Sequence, residues 1–312
     1  MKHLFIVNPA AGGKDSTDFV SARVAQFFSG KEGDFEIYTT KAPMDAVKKI
    51  QYEADLCDEL RVYACGGDGT LNECICGAAG WEHVAVTHFP TGTGNDFIKT
   101  FGDEGKLFFE LEALINGEVR PIDLIDCNGR YSVNICSVGI DARIAADVHK
   151  YSKIPVIGGA TGYVTSLAAN LIKGITGPLR VICDGKLYYG EMTLICACNG
   201  RFYGGGFNPV PDAQLDDGLL DFLIIKGVSR LTFLKLVGSY AKGKYADFPK
   251  YINHVRSTSI EIDSQDELVV NVDGEIIRDK KVCIKVIPGG VNFIFPAGME
   301  FFAPEKEKAA AN

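Results

Sequence analysis

No run of about 18 apolar residues occurs in this chain, so no segment reads as a bilayer-spanning helix. The N-terminal MKHLFIVNP holds an apolar run that stops at Asn8-Pro9, too short for a signal peptide. No CxxC pair exists among the ten cysteines; Cys74/Cys76 and Cys196/Cys198 are each two apart, and the five histidines are scattered. That spacing argues against a zinc site. Without a secretion signal it favours reduced, buried thiols. A Walker A loop, GxxxxGK[ST], is missing, and so is the GxGxxG fingerprint. Their absence disfavours a P-loop NTPase and a hydride-transferring Rossmann domain. There is no internal repeat. There is also no surplus of positive charge: the net charge is −8, which speaks against nucleic acid as a partner. These absences leave a cytoplasmic protein, for which a peripheral membrane role stays open.

What is present is ordinary for a globular chain: 312 residues, 46% apolar and 23% charged. The length exceeds what one hydrophobic core usually supports, so two domains are expected. Residues 1–122 alternate between strand and helix patterns. HLFIVN, FEIYTT, RVYAC and HVAVTHF read as strands, and helices are expected over 16–29, 43–56, 70–79 and from about Asn95. This is the signature of an α/β domain with an open, mostly parallel sheet. After about residue 120 the pattern becomes short strands, among them RYSVNICSVG, TSIEIDS, ELVVNVDGE, KVCIKVIPG and VNFIFPAG, many ending in Asn-Gly, Asp-Gly or Gly-Gly turns. Residues 123–296 therefore read as an all-β, antiparallel, sandwich-like C-terminal domain, interrupted by helices near 158–173 and 229–244. The tail PEKEKAAAN reads as a solvated end.

Three glycine-bearing loops follow successive strands of the first domain: NPAAGG (8–13), GGDGT (66–70) and PTGTGND (90–96). In open α/β sheets ligands bind at the carboxyl ends of the strands. Glycines there let backbone N–H groups approach phosphate oxygens, and a helix N-terminus adds a favourable dipole. The carboxylates of Asp68 and Asp96 would repel phosphate unless a cation or a hydroxyl proton lies between, and Mg²⁺ is held in this way. The plainer alternative is a tight strand-to-helix turn with Asp68 as N-cap. The second half adds Asp123, the acids of PDAQLDDGLLD (211–221), and Asp273 and Glu275 in VDGE (272–275). Turns with solvated acids are the plainer reading of both of these loops.

GGDGT with Asn72 and Glu73 after it, PTGTGNDF, NGRFYGGG, DAQLDDGLLD and VDGE, in this order, resemble the diacylglycerol kinase-like lipid kinases, in particular the soluble bacterial members. The resemblance runs from Asn8 to about Pro296. It implies a two-domain, ATP- and Mg²⁺-dependent kinase of a lipid hydroxyl, with ATP in the cleft and the second domain serving the lipid. The nucleotide loops then fall on Asn8, Pro9 and Gly12, on Gly66, Gly67, Gly69 and Thr70, and on Thr91, Gly92, Thr93, Gly94 and Asn95. Acids organising the catalytic Mg²⁺ fall on Asp68, Asp96 and Asp123, and the general base on Glu275. A second, structural Mg²⁺ is implied at Asp217, with backbone oxygens near Gln214 and Leu219. The resemblance further implies a homodimer, and a first domain completed by residues 297–312. Lys99 departs from the arginine common after NDF, and Cys74 and Cys76 replace apolar residues.

Two further stretches bear on a lipid. SRLTFLKLVGSYAKGKYADFPKY (229–251) mixes Arg230, Lys235, Lys242, Lys244 and Lys250 with apolar residues, which suits an anionic membrane surface or a core-packed helix with a solvated basic face. IPVIGGATGYVTSLAANLI (154–172) suits a lid beside a lipid channel or plain core. Two other functions stay open at this stage. A soluble NAD kinase-like metabolite kinase shares the GGDGT chemistry, and a nucleotide-binding regulator without catalysis would have lost one of the acids.

Overall fold

The computed structural model describes residues 1–31, 33–152, 166–167 and 169–301. The tail 304–312 and most of the lid candidate at 154–172 lie outside the described residues. Of the helix expected at 158–173, only 166–167 and 169–173 are described, and they are helical. Two compact units divide the chain: Met1–Ile122 with the segment from Gly289, and Asp123–Pro288.

In the first unit, strands β1 (Lys2–Val7), β2 (Asp34–Thr39), β3 (Leu60–Gly66) and β4 (Val84–Pro90) pair in parallel in the order β4-β3-β1-β2. The end of β13 (Glu275–Phe295) joins them, with Asn292 beside Ala85 and Phe293 beside Val86. Helices α1 (Thr17–Phe28), α2 (Asp45–Ala54), α3 (Asp68–Ala78), α4 (Asp96–Lys99) and α5 (Leu111–Ile115) connect or follow the strands. Every residue of β4 is buried, Thr87 and His88 included, as expected of a sheet covered on both faces. Phe5 stacks on Tyr63 across β1 and β3 at 4.3 Å between ring centroids. Lys2 and Lys49 alternate with Glu36 and Glu53 in a ring of four charges that ties α2 to β1 and β2.

The register positions the site. Val7 pairs with Cys65, and Gly66 with Pro90. Three strands therefore end at one level, and the loops that follow them open from the same sheet edge.

The second unit is antiparallel. Its strands are β5 (Glu118–Cys127, whose first residues belong to the first unit), β6 (Arg130–Ser132), β7 (Ile135–Gly139), β8 (Gly177–Cys183), β9 (Lys186–Cys198), β10 (Leu220–Lys226), β11 (Ile252–Ser257), β12 (Ser259–Val272) and β13. They follow the order β11-β10-β9-β7-β12-β13, and β8 pairs with both β9 and β12. One core gathers Ile195, Ala197, Phe222, Ile224, Ile262 and Val282. A second, on the opposite face, gathers Leu194, Cys196, Cys198, Leu223 and Ile225 with residues of α6 (Ile140–Ser152) and α7 (Arg230–Tyr240). Alternate residues of LICAC thus enter different cores, so both faces are buried and the period-two signal vanishes. The cysteines there are free and buried.

Both the α/β unit and the antiparallel unit agree with the expected fold class. Within them the structure corrects several element readings. RYSVNICSVG splits into β6 and β7. TSIEIDS and ELVVNVDGE are one strand, β12, and KVCIKVIPG and VNFIFPAG are one strand, β13. Helix α6 and strand β11 were not expected.

Candidate active site

The first unit brings its three glycine loops together. Asn8, after β1, donates its Nδ2 to Thr70 Oγ1 at 3.0 Å, and its Oδ1 accepts from Ala10 N at 3.0 Å. Gly12 has φ +70°, and a Cβ there would stand 2.5 Å from Thr91 O. Ser16 Oγ donates to Thr91 Oγ1. Gly67 and Gly92 pack backbone against backbone: a Cβ on Gly92 would stand 2.7 Å from Gly67 N. No residue but glycine fits this crossing without displacing a main chain. Gly69 is exposed, and a Cβ there would meet nothing within 4 Å.

One carbonyl pins the arrangement. Gly66 O accepts from Thr91 N at 2.9 Å, Gly92 N at 3.0 Å and His88 Nε2 at 3.1 Å. A carbonyl only accepts, so His88 must carry its proton on Nε2. Burial pushes the His88 pKa down, while the Asp68 charge and the Gly66 carbonyl raise it. The ring is therefore neutral around pH 7. This residue was missed in the sequence, where its only signal is a histidine inside an otherwise apolar strand.

Gly67 is the N-cap of α3, and Asp68 is already in the first helical turn, which corrects the reading of Asp68 as N-cap. Asp68 Oδ1 accepts from Phe97 N at 3.2 Å, which joins the GGDGT loop to α4. Its Oδ2 faces Gly94, where a Cβ would stand 2.9 Å away. Asp96 is buried and pairs with Lys99 at 2.5 Å. Asn95 adopts φ +46° and donates to Gly92 O at 2.9 Å. Its Oδ1 is buried and, among the described residues, has no hydrogen-bond partner.

These residues fit a nucleotide with a hard cation. Side chains are absent where Gly67 crosses Gly92, and the first N–H groups of α3 have no intrahelical acceptor. A phosphate oxygen suits such donors. The Asp68 carboxylate and the unpaired Asn95 oxygen are the oxygen ligands that Mg²⁺ or its waters prefer. Pro9 and Thr93 flank the same loops.

The second unit holds the remaining candidates, and it links Asp123 to the DDG loop. Asp123 is buried. Its Oδ2 accepts from Gly218 N at 2.7 Å, its N donates to Leu215 O at 2.6 Å, and its O accepts from Asn199 Nδ2 at 2.8 Å. Asp217 Oδ1 accepts from Leu219 N at 3.0 Å, and Oδ2 pairs with Arg256 of β11. Asp221 is buried and bonded to His254 at 2.6 Å. Of the four acids of this loop, Asp212 and Asp216 are exposed, as the solvated reading has them, whereas Asp217 and Asp221 find partners on the neighbouring strand β11. A structural Mg²⁺ at Asp217, with backbone oxygens near Gln214 and Leu219, would have to compete with the Arg256 guanidinium for the Asp217 carboxylate. Among the described residues no group of three or more His, Cys, Asp or Glu could hold a metal.

In VDGE the two acids separate in role. Asp273 forms the β12–β13 turn at φ +47°, and its carboxylate accepts from the N–H groups of Val133, Asn134 and Ile135 at 2.8, 3.1 and 2.9 Å. It is a structural acceptor. Glu275, two residues on, is exposed.

Comparison with known proteins now adds to this geometry. Residues 2–127 match the diacylglycerol kinase catalytic domain, and residues 134–295 match the YegS C-terminal NAD kinase beta sandwich-like domain. The diacylglycerol kinase of Bacillus subtilis is 27% identical over 277 residues, covering 88% of this chain and 90% of that one. The crystal structure of a diacylglycerol kinase from Bacillus anthracis matches with a TM-score of 0.69 at 26% identity, covering 96% of this chain and 98% of that chain.

Proposed function

The chain belongs to the diacylglycerol kinase-like lipid kinase family, and on that premise we propose that it transfers the γ-phosphate of ATP to the hydroxyl of diacylglycerol or a related lipid. The observation that carries this reading is the glycine crossing of Gly67 and Gly92, closed over by Asn8 and Gly12. It offers main-chain donors to phosphates at the end of three parallel strands.

In phosphoryl transfer a protein mainly positions groups and stabilises charge. The N–H groups of the 66–70 and 91–95 loops, apart from those of Thr70, Thr91 and Gly92, which bond to Gly67 O and Gly66 O, orient the phosphates. Asp68 and Asp96 would hold Mg²⁺, with Asp123 assigned to the same role by resemblance alone, and the ion would supply positive charge to the phosphates. Asp68 also holds the two loops in register through Phe97 N. Glu275 accepts the proton of the acceptor hydroxyl, a role assigned by resemblance and worth about 10²–10⁴-fold in rate. Among the described residues no helix is long and apolar enough to cross a membrane. A lipid acceptor resides in a bilayer, so on this reading the enzyme meets it at the membrane surface, and we place it at the cytoplasmic face.

The test is ATP-dependent phosphate transfer to a panel of lipids in mixed micelles, with NAD as soluble control and Asp68→Ala as blank. Labelled lipid that disappears with Asp68→Ala supports the reading and identifies the acceptor. Labelled NAD without labelled lipid replaces it with a metabolite kinase.

A further inference from the structure

Helix α7 of the second unit has two faces. Leu236 and Tyr240 are buried in the core beneath it. On the outer face lie Arg230, Leu231, Leu234, Lys235 and Gly238, all exposed. Positions three and four apart share a helix face, so the two leucines form one apolar spot flanked by two cations. Leu231 is 74% exposed and Leu234 50%. The spot is continuous with a neighbouring helical turn. Arg230 donates Nε to Leu171 O and Nη2 to Ile172 O at 3.0 Å, and Ile172 is 80% exposed. Single exposed aliphatics are ordinary on protein surfaces. Three of them on two elements joined by one arginine make a patch.

The charge around the patch is one-sided. From Lys226 to Ala246 there is no Asp or Glu, while Lys226, Arg230, Lys235, Lys242 and Lys244 are all exposed. This occurs in a chain whose net charge is −8. Two acids approach from other elements. Asp147 of α6 pairs with Lys173, and Glu191 touches Gly227. Neither pairs with Arg230 or Lys235 in any described contact.

We propose that the outer face of α7, with Ile172 beside it, docks on an anionic lipid bilayer, the leucines and isoleucine entering the interface and the basic residues meeting the headgroups. The choice of occupant rests on the lipid-kinase reading, since a lipid acceptor resides in a bilayer, and on charge complementarity. An apolar spot ringed by cations suits interfacial binding. In a two-fold contact between copies of this chain the face would meet itself, and its unopposed cations would repel. Each basic residue near an anionic surface contributes about fivefold to affinity.

The experiment uses the full chain and vesicle flotation without ATP or acceptor lipid. Vesicles of phosphatidylcholine with phosphatidylglycerol are compared with phosphatidylcholine alone. The wild type should float with the anionic vesicles, less so as salt rises, and stay behind with the neutral ones. Lys235→Glu should weaken binding about 30-fold, since it exchanges one favourable charge for an opposed one. Ile172→Ser with Leu231→Ser and Leu234→Ser should weaken it at least tenfold. Lys235 is exposed, so its variant keeps the fold, and circular dichroism checks both variants. Undiminished flotation of both overturns the proposal, as does failure of the wild type to float. A dimer in sedimentation that the serine variants dissociate overturns it in favour of self-association. The kinase reading fails separately: vesicle binding that holds while no lipid is phosphorylated leaves the docking face standing and removes the enzyme assignment.

Discussion

His88 Nε2 lies 3.1 Å from the carbonyl oxygen of Gly66, which also receives the N–H groups of Thr91 and Gly92. One fully buried ring thus fixes the level at which the GGDGT and GTGND loops meet. His88→Ala removes one of three donors and leaves a cavity behind the loop. We expect a loss of about 2–4 kcal/mol in chemical denaturation, with weakened ATP binding. Unchanged stability would show that the loops hold their level without the ring.

The glycine crossing separates packing from binding. Gly92→Ala drives a Cβ against the Gly67 main chain, and we expect about 1–3 kcal/mol of destabilisation together with lost activity. Gly69→Ala meets open space and should leave the melting temperature within about a degree of wild type. If phosphate lies on this turn, Gly69→Ala still raises the KM for ATP. A KM unchanged by Gly69→Ala would move the nucleotide away from the turn.

Asp68→Ala should cost more activity than Glu275→Gln, because Asp68 joins the two loops as well as offering an oxygen to the cation. For Glu275→Gln we expect a fall of about 10²–10⁴-fold in kcat and unchanged stability, since Glu275 is exposed. Asp273→Ala should do the opposite. It orphans three N–H groups and costs about 3–5 kcal/mol, so its activity loss should follow its loss of fold in a denaturant series.

Acid should destabilise the first unit through its buried histidines. Burial and the Arg61 charge hold His3 down at about 4, and burial lowers His88 too. A histidine with a depressed folded-state pKa contributes fully above the unfolded value, about 6.5. That contribution is lost as pH falls from there towards the folded value. For His3 the loss approaches 3 kcal/mol by about pH 4. His3→Gln should flatten the stability profile between these values, and equal slopes in the two proteins would refute this.

Arg256 bears on the metal. It occupies Asp217 Oδ2 where a structural cation is implied by resemblance. Arg256→Gln frees that oxygen. Added Mg²⁺ should then raise the melting temperature of the variant more than that of the wild type. Equal Mg²⁺ responses would mean that the guanidinium and the ion do not compete.

The elements legible in the sequence were those with local causes. Strands of the first unit are short apolar runs cut by glycine loops, and the loops mark themselves because glycine tolerates close main-chain approach. The Asp-Gly and Asn-Gly turns at 184–185, 273–274 and 128–129 were equally readable, with both residues at positive φ. Strand β11 was hidden because INHVRS carries polar residues whose partners, Asp217 and Asp221, stand more than 30 residues earlier. Helix α6 was hidden by its place among turn-rich strands.

By itself the sequence determined the two-unit architecture, the family, and the three loops that carry glycine with acid, since each rests on local spacing and turn chemistry. Only the tertiary structure decided which acids are scaffold. Asp273 is spent on three backbone donors and Asp217 on Arg256, while Asp68 keeps an oxygen towards Gly94. The physical reason is that a carboxylate's role depends on which donors reach it, and those donors come from strands distant in the chain.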